Sequence, residues 1–525
     1  NAWARALATN LANGTGKLVV FDPRLSVTAS KADEWFPIRP GTDHAVAMAM
    51  INVIINEKLY DHDFVAKNTS GFDQLAKMIN PYTPQWASKI SDIPAEEISS
   101  IAREFSAAPS ACIPMHKREA IQVRANGWSL SRAILILMAL TGNIEKPGVA
   151  IIPRKIKLGN VGPKTKPPKL ETTVRVDGGE QFPLSLTEPF KGHGIYQTVP
   201  DNILKDKPYP VKALIVFSQG LDSMPNPQKW VEAFKNVGFM ININIYPDDM
   251  ATLADLVLPE PTYLEKGAVS ARELNAFYPQ LAVGEPMVEP MYDCMPLPKI
   301  KAELAKRLGV AQFMPPIGPE TTQEQLKPLG ISVNDVLKSG GVYTPSTKFE
   351  PMDLTNIKTP SKKISLYSDL AAKHGYEPLP VRRNNWLINA DGRNTFYLTT
   401  TRFAFNRHGK TANLRWLHEL MPENFVYINT AAGERLGIHD DDPVIVESNF
   451  GKIKIKVKLI QGIRPDTICI PHGFGHRSKF LHLAGGKGAN DGEIMPSFNL
   501  DQTLKLNDPS GSAVDCQMVV KIRRA

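Results

Sequence analysis

Between residues 17 and 259, short and mainly apolar runs alternate with segments patterned for helix. Runs so poor in polar residues do not suit a sheet with one wet face, and the intervening helices supply the covering layers. The expected strands are residues 17–21 (KLVVF), 213–217 (ALIVF), 239–245 and 255–259. One helix is expected from Asp43, where Val46, Met50, Val53 and Ile54 repeat at helical spacing. A second starts at Asp92-Ile93-Pro94, with Glu96 and Glu97 suited to the positive end of its first turn. Others are expected over 132–140 and near 230–234. Strands and helices in this alternation predict α/β layers with mainly parallel sheets.

The last 140 or so residues have a different period. Residues 452–459 (KIKIKVKL) alternate perfectly, placing Ile453, Ile455, Val457 and Leu459 on one face. Segments 396–400, 425–428, 443–447, 467–471 and 517–522 are also strand-like, and the Gly and Asp turns between them predict a closed β-barrel. Residues 153–210 and 313–385 look irregular. The expected organisation is two layered α/β domains, 1–150 and 151–385, followed by a β-barrel domain at 386–525. A length of 525 residues suits several domains, and 42% hydrophobic with 22% charged residues supplies real cores, which excludes a disordered chain. No apolar run approaches the ~20 residues of a membrane helix. The chain opens Asn-Ala-Trp-Ala-Arg, in helix that leads straight into a strand, and it reads as the middle of a longer polypeptide.

Several chemistries lack their residues. Cys112, Cys294, Cys469 and Cys516 are far apart and no C-x-x-C exists, so no zinc knuckle or locally held cluster is expected. Gly14-Thr15-Gly16-Lys17 lacks the earlier Gly and the following hydroxyl of a phosphate loop, and it precedes its strand. There is no G-x-G-x-x-G, G-x-S-x-G or H-E-x-x-H. The net charge of +8 includes a basic run at 154–169 and alternating lysines at 452–458. No nucleic-acid motif accompanies it, so phosphate-bearing ligands or a solvated face account for it and nucleic acid is not an expected partner.

The remaining candidates are polar loops at strand ends, where open α/β sheets bind ligands. Asp22 follows KLVVF and Asp43 opens a helix; either carboxylate can accept from a guanine edge, or serve as turn and helix cap. His472-Gly473-Phe474-Gly475-His476 lies beyond a strand, and its two glycines make it a loop for close backbone approach rather than a metal chelate. Arg402, Arg407, His408, Lys410 and Arg415 follow Thr399-Thr400-Thr401, a set of cations and hydroxyls that suits a pyrophosphate or a solvated surface.

Taken in order, these phrases resemble a family. Val19-Val20-Phe21-Asp22-Pro23-Arg24, Ala32-Asp33 and Ile38-Arg39-Pro40-Gly41-Thr42-Asp43 are similar to a signature of the molybdopterin oxidoreductases of the dimethyl-sulfoxide-reductase superfamily. So are Ala254-Asp255-Leu256-Val257-Leu258-Pro259 with Glu265 and Gly267, Thr359-Pro360-Ser361-Lys362-Lys363-Ile364, Thr401-Arg402 with His408, Thr411 and Asn413, and the loop at 471–476. Gln219-Gly220 stands where the family more often has Gly-Asn. The endings at 407–413 and 473–478 look most like the polysulfide/thiosulfate reductase group, with the arsenate reductase group close by.

The resemblance implies a double-psi type of barrel and a bis-molybdopterin guanine dinucleotide cofactor holding Mo or W. By motif position it implies cofactor contacts at Asp22, Arg24, Gly41 and Asp43, at Gln219, Gly220 and Thr252, and at Thr401, Arg402, His408, Thr411, Asn413, His472 and Asn499. His116, Lys117 and Arg118 fall where the family brings residues near its active-site funnel, to steer an anionic substrate or to hold pterin phosphates. No protein ligand to the metal is assigned. The implied reaction is two-electron reduction of polysulfide, thiosulfate or a related oxyanion. Arsenate reductase or arsenite oxidase chemistry, a non-redox hydratase or transhydroxylase, and a non-catalytic cofactor-binding fragment are the alternatives. A [4Fe-4S] cluster is expected only in an N-terminal portion of the same subunit. An iron–sulfur electron-transfer subunit, a quinone-linked membrane anchor and a periplasmic or outer-face location are further implications.

Overall fold

The computed structural model describes residues 2–114, 126–149, 152–163, 165–168, 174–182, 194–266, 272–274, 278–383, 390–509, 511 and 518–525. In the first unit β1 (Val19–Phe21) pairs in parallel with β2 (Glu34–Phe36), Val20 opposite Trp35. Beside them α1 (Asp43–Asn56) is covered on all sides, every residue from His44 to Ile55 being buried. Such a helix is apolar all round because it is the centre of a bundle. Its neighbours are α2 (Pro84–Ser91), α3 (Ala95–Ala107) and α4 (Gly127–Leu140). Ile54 and Leu137 are fully buried in the shared core. Ile54→Ala is expected to lower the stability of this unit by about 3 kcal/mol, read as a lower urea midpoint at constant slope. A loss below about 1 kcal/mol would contradict the packing.

The second unit carries the parallel sheet β3 (Ala213–Phe217), β4 (Phe239–Asn244) and β5 (Leu256–Pro259), with β4 central. Helix α5 (Pro227–Lys235), with Pro227 at its start and the Asn226 side chain accepting from Lys229 N, puts Trp230 and Phe234 against Val216 and Met240. The stretch expected to be irregular from 313 onward contains the helices Pro319–Leu326 and Val333–Lys338. Both carry start signals, Pro319 in the first turn and a Ser332–Asp335 capping box. They pack Leu326 and Val336 on Ile156 and Leu281, which anchors part of the 153–210 excursion. Residues 364–383, sequentially within the 151–385 stretch, lie on the first unit. Ile364–Ser365 pairs in parallel with Thr69–Ser70, and Leu366 joins the α1 core.

The C-terminal barrel is closed and six-stranded, as expected: β6 (Thr395–Thr401), β7 (Phe425–Asn429), β8 (Pro443–Glu447), β9 (Lys452–Ile460), β10 (Thr467–Pro471) and β11 (Met518–Arg524). The order around it is β6-β10-β7-β9-β8-β11, with β6–β10 and β7–β9 parallel and the other pairs antiparallel. The alternation of β9 has its expected consequence: Ile453, Ile455 and Val457 enter the core with Val446, Ile468 and Val520. Closure leaves no free edge. No helix among the described residues is long and apolar enough to cross a membrane.

Candidate cofactor site

The first cluster lies where β1 ends. The Asp22 carboxylate accepts from Arg24 N at 2.9 Å, and Trp35 Nε1 donates to the Asp22 carbonyl at 2.8 Å. Arg24 reaches out of the unit and donates to Thr401 Oγ1 at 3.1 Å, while Leu25 N and the Gly462 carbonyl tie the same turn to the barrel. Asp43 sits in the first turn of α1 after Gly41, which takes φ +82°. Burial pushes both carboxyls above their ordinary range; the Arg24 amide opposes this at Asp22, and the charge of Asp22 adds to it at Asp43. The amides they already accept from fill only part of the acceptor capacity of these two carboxyls, and the donors of a guanine edge would suit what remains. Next to Asp43, buried His44 donates from Nε2 to the Pro380 carbonyl (2.9 Å), and burial with the Arg382 charge pushes its pKa down to about 3. His44 Nδ1 and Arg382 Nη1 are both buried without a hydrogen-bond partner among the described residues. Orphaned polar atoms beside desolvated carboxylates fit a polar ligand at this place.

The second cluster joins the loop ends of β3 and β4 to those of β6 and β10. Asp222 accepts from Gly409 N at 2.7 Å, and Lys410 Nζ donates to the Ser218 carbonyl (2.9 Å) and hydroxyl (2.7 Å). Asp249 accepts from His476 Nδ1 at 2.8 Å, Arg477 N at 2.7 Å and Ser478 N at 2.5 Å. Burial alone would lower His476 and raise Asp249. Their mutual bond and charge, with Asp222 and the Gly409 carbonyl at the imidazole and the two amides at the carboxylate, outweigh it and shift both the other way. Neighbouring Asp248 goes up, through burial and the charges of Asp222 and Asp249. Gly473 (φ +96°) and Gly475 (φ +79°) let this loop pass close to His408 and Asn490. Behind them His472 sits between Asp491 and His408, and His408 faces Arg402.

The residues expected from sequence divide accordingly. Arg24 and Thr401 are brought together from opposite ends of the chain, as are Arg402, His408 and His472. Gln219 and Gly220 form the loop that Lys410 and Asp222 dock on the barrel, and Gln219 donates to Ser223 Oγ at 3.0 Å. Others have side chains engaged in shaping loops. Thr252 is exposed and donates to the Asp249 carbonyl; Thr411 accepts from Arg407 N and donates to Asn406. Asn413 accepts from Leu483 N and Ala484 N, and Asn499 caps the short helix Leu500–Lys505. His116, Lys117 and Arg118 lie outside the described residues. Asp222, Asp249, Arg382, His476 and Asp491 were not singled out as site residues. Only His476 lay inside a recognisable phrase. No His/Cys/Asp/Glu group among the described residues has the geometry of a metal site.

Asp43→Asn replaces an acceptor by a mixed donor and is expected to weaken guanine nucleotide binding about tenfold or more, measured by calorimetry with GDP. An unchanged affinity would remove Asp43 from the site.

Residues 3–307 match the family model described as molybdopterin oxidoreductase, and residues 396–503 match the molydopterin dinucleotide binding domain. The chain is 31% identical to the molybdopterin-containing subunit of thiosulfate reductase from Salmonella typhimurium, over 91% of this chain and 67% of that protein. It is 25% identical to that of arsenate respiratory reductase from Chrysiogenes arsenatis, over 92% of this chain and 69% of the relative. It thus spans about two thirds of these relatives. In fold it is similar to acetylene hydratase from Pelobacter acetylenicus, with a TM-score of 0.78, 23% identity and coverage of 98% of this chain and 74% of that one. The two family models cover most of the chain and include its dinucleotide-binding barrel: the chain belongs to the molybdopterin oxidoreductase family and is built around a molybdopterin guanine dinucleotide cofactor.

Proposed function

We propose that this chain is the cofactor-carrying part of a catalytic subunit that reduces polysulfide, thiosulfate or a related oxyanion by two electrons. The observation that carries the substrate class is the 31% identity to the thiosulfate reductase subunit across 91% of the chain. The bound metal, Mo or W, supplies a two-electron change between its VI and IV states. The chain's own residues bind and orient. Asp22 and Asp43 accept from one guanine, with Arg382 and His44 completing the polar wall. Arg24, Thr401, Arg402 and His408 gather at the barrel mouth, where cations and a hydroxyl suit phosphate oxygens. His116, Lys117 and Arg118 supply positive charge that attracts an anionic substrate and offsets charge developing on it.

In this reading two dinucleotides are bound, and a [4Fe-4S] cluster lies in an N-terminal portion of the same subunit. Electrons arrive from an iron–sulfur subunit linked to a quinone-reactive membrane anchor, on the periplasmic side. The test uses the native complex containing this chain, with reduced viologen as donor. Rapid viologen oxidation by thiosulfate or polysulfide supports the reading, and turnover with arsenate alone replaces it by the arsenate reductase alternative. The 28% sequence identity to an acetylene hydratase over 87% of this chain favours a second reading, non-redox hydration. Hydration of acetylene by a complex that oxidises no viologen with any oxyanion would establish it.

A further inference from the structure

Four side chains form a line into the barrel. Arg402 Nη1 lies 3.5 Å from His408 Nε2, His408 Nδ1 lies 3.2 Å from His472 Nε2, and His472 Nδ1 lies 2.9 and 3.0 Å from the two oxygens of Asp491. Asp491 is fully buried, and His472 is nearly so. The line is held from the sides: Asn406 donates to the His472 carbonyl at 3.0 Å, and Gly473 brings the loop so close that a Cβ there would lie 2.5 Å from the His408 carbonyl carbon.

A proton count fixes the direction of every bond. A carboxylate only accepts, so His472 carries its proton on Nδ1. With neutral rings, His472 Nε2 is then an acceptor, His408 Nδ1 donates to it, and His408 Nε2 is left as an acceptor toward the Arg402 guanidinium, which only donates. Asp491 thereby orients, through His472, a lone pair at the mouth of the site. If an anion reaches Arg402, that lone pair faces it unfavourably, and one proton added to His408 Nε2 turns it into a second donor beside the first. The added positive charge is balanced along the line by the buried Asp491 carboxylate. Charged groups near this pair among the described residues include Asp222, against Gly409 N, and His476, against the Gly409 carbonyl, with Asp249 behind it.

We propose that Asp491 and His472 are positioning residues that make His408, together with Arg402, a proton-coupled diphosphate site, so that one proton is taken up at His408 Nε2 when the diphosphate of a nucleotide binds. This rests on the placement of a dinucleotide phosphate at the barrel mouth. It adds a residue, Asp491, that touches no ligand, and a proton balance.

The test is calorimetry of GDP and pyrophosphate on the cofactor-free chain, in buffers of different ionisation enthalpy from pH 6 to 9. An Arg402→Met variant identifies the signal that belongs to this site. Uptake approaching one proton per diphosphate is expected above neutral pH, with affinity falling toward tenfold per pH unit once His408 is neutral. Asp491→Asn is expected to abolish the uptake and flatten the profile, and His472→Phe, which removes the acceptor for His408 Nδ1, is expected to do the same. Wild-type uptake that persists unchanged in both variants overturns the proposal. Nitrogen NMR of the ligand-free wild-type chain reads the histidines directly: His472 protonated on Nδ1 and His408 on Nδ1 is expected, and the reverse tautomers overturn the proposal even if the variants do not fold. Correct tautomers in a chain that binds no diphosphate at Arg402 would instead place the phosphate elsewhere, and would overturn the site while leaving the family membership intact.

Discussion

Gly475→Ala is expected to abolish cofactor retention and to destabilise the barrel by about 3 kcal/mol. The residue takes φ +79°, which costs any side-chain-bearing residue, and an added Cβ would lie 2.2 Å from Asn490 N and 2.6 Å from the Ala489 carbonyl carbon. Both are backbone atoms that cannot swing aside. They are also pinned, since Asn424 accepts from Ala489 N at 2.8 Å and donates to the carbonyls of Ala489 (2.9 Å) and Pro471 (2.8 Å). The segment that would have to move leads directly to Asp491, so the His472–His408 line moves with it. Urea unfolding and guanine nucleotide content of the purified protein measure the two effects. A variant within 1 kcal/mol of the parent that keeps its nucleotide would mean the two loops are not in this register.

Asp249→Ala is expected to undock the second unit from the barrel at a cost of about 3–5 kcal/mol. The carboxylate is the common acceptor for His476 Nδ1 and for the amides of Arg477 and Ser478, and the His476 side chain is only 3% exposed. Removing it leaves the buried Nδ1 of His476 and the amides of Arg477 and Ser478 without their acceptor, each at its own cost. The same pair sets a pH window. His476 is raised above 6.5, so its contribution is complete below that value and is lost as pH rises through the raised one. Asp249 is lowered below 3.8, so its contribution is complete above 3.8 and is lost as pH falls through the lowered value. Docking is therefore expected to be strongest between these two ordinary values and to loosen on either side. Hydrogen exchange of the Arg477 and Ser478 amides against pH measures it, and flat protection across the alkaline side would show that His476 is not charged in the folded chain.

The elements that sequence made legible are those with a regular apolar pattern. The β9 run alternates because one face fills the barrel and the other meets water, and α1 could be recognised from Asp43 although it is covered on every side. The helices Pro319–Leu326 and Val333–Lys338 were illegible for the opposite reason: each is short, largely polar and contributes only one fully buried residue, so no stripe marks it. The site divides the same way. Asp22, Asp43 and His472 sit at strand ends and helix starts, positions that local pattern reveals. Asp249 meets His476 from 227 residues away, and Arg24 meets Thr401 from 377 away, so no local spacing foretells either pair. Arg382 belongs to a segment that returns to the first unit after the whole second sheet, and only the fold shows it beside Asp43.

A molybdopterin guanine dinucleotide organises this chain. This is tested most directly on the native complex that contains the chain, by elemental mass spectrometry for Mo and W together with the guanine nucleotide released on acid hydrolysis. Molybdenum or tungsten with two guanine nucleotides per copy of the chain is the result expected. A complex with neither metal nor guanine nucleotide, purified with its subunits intact, would contradict it.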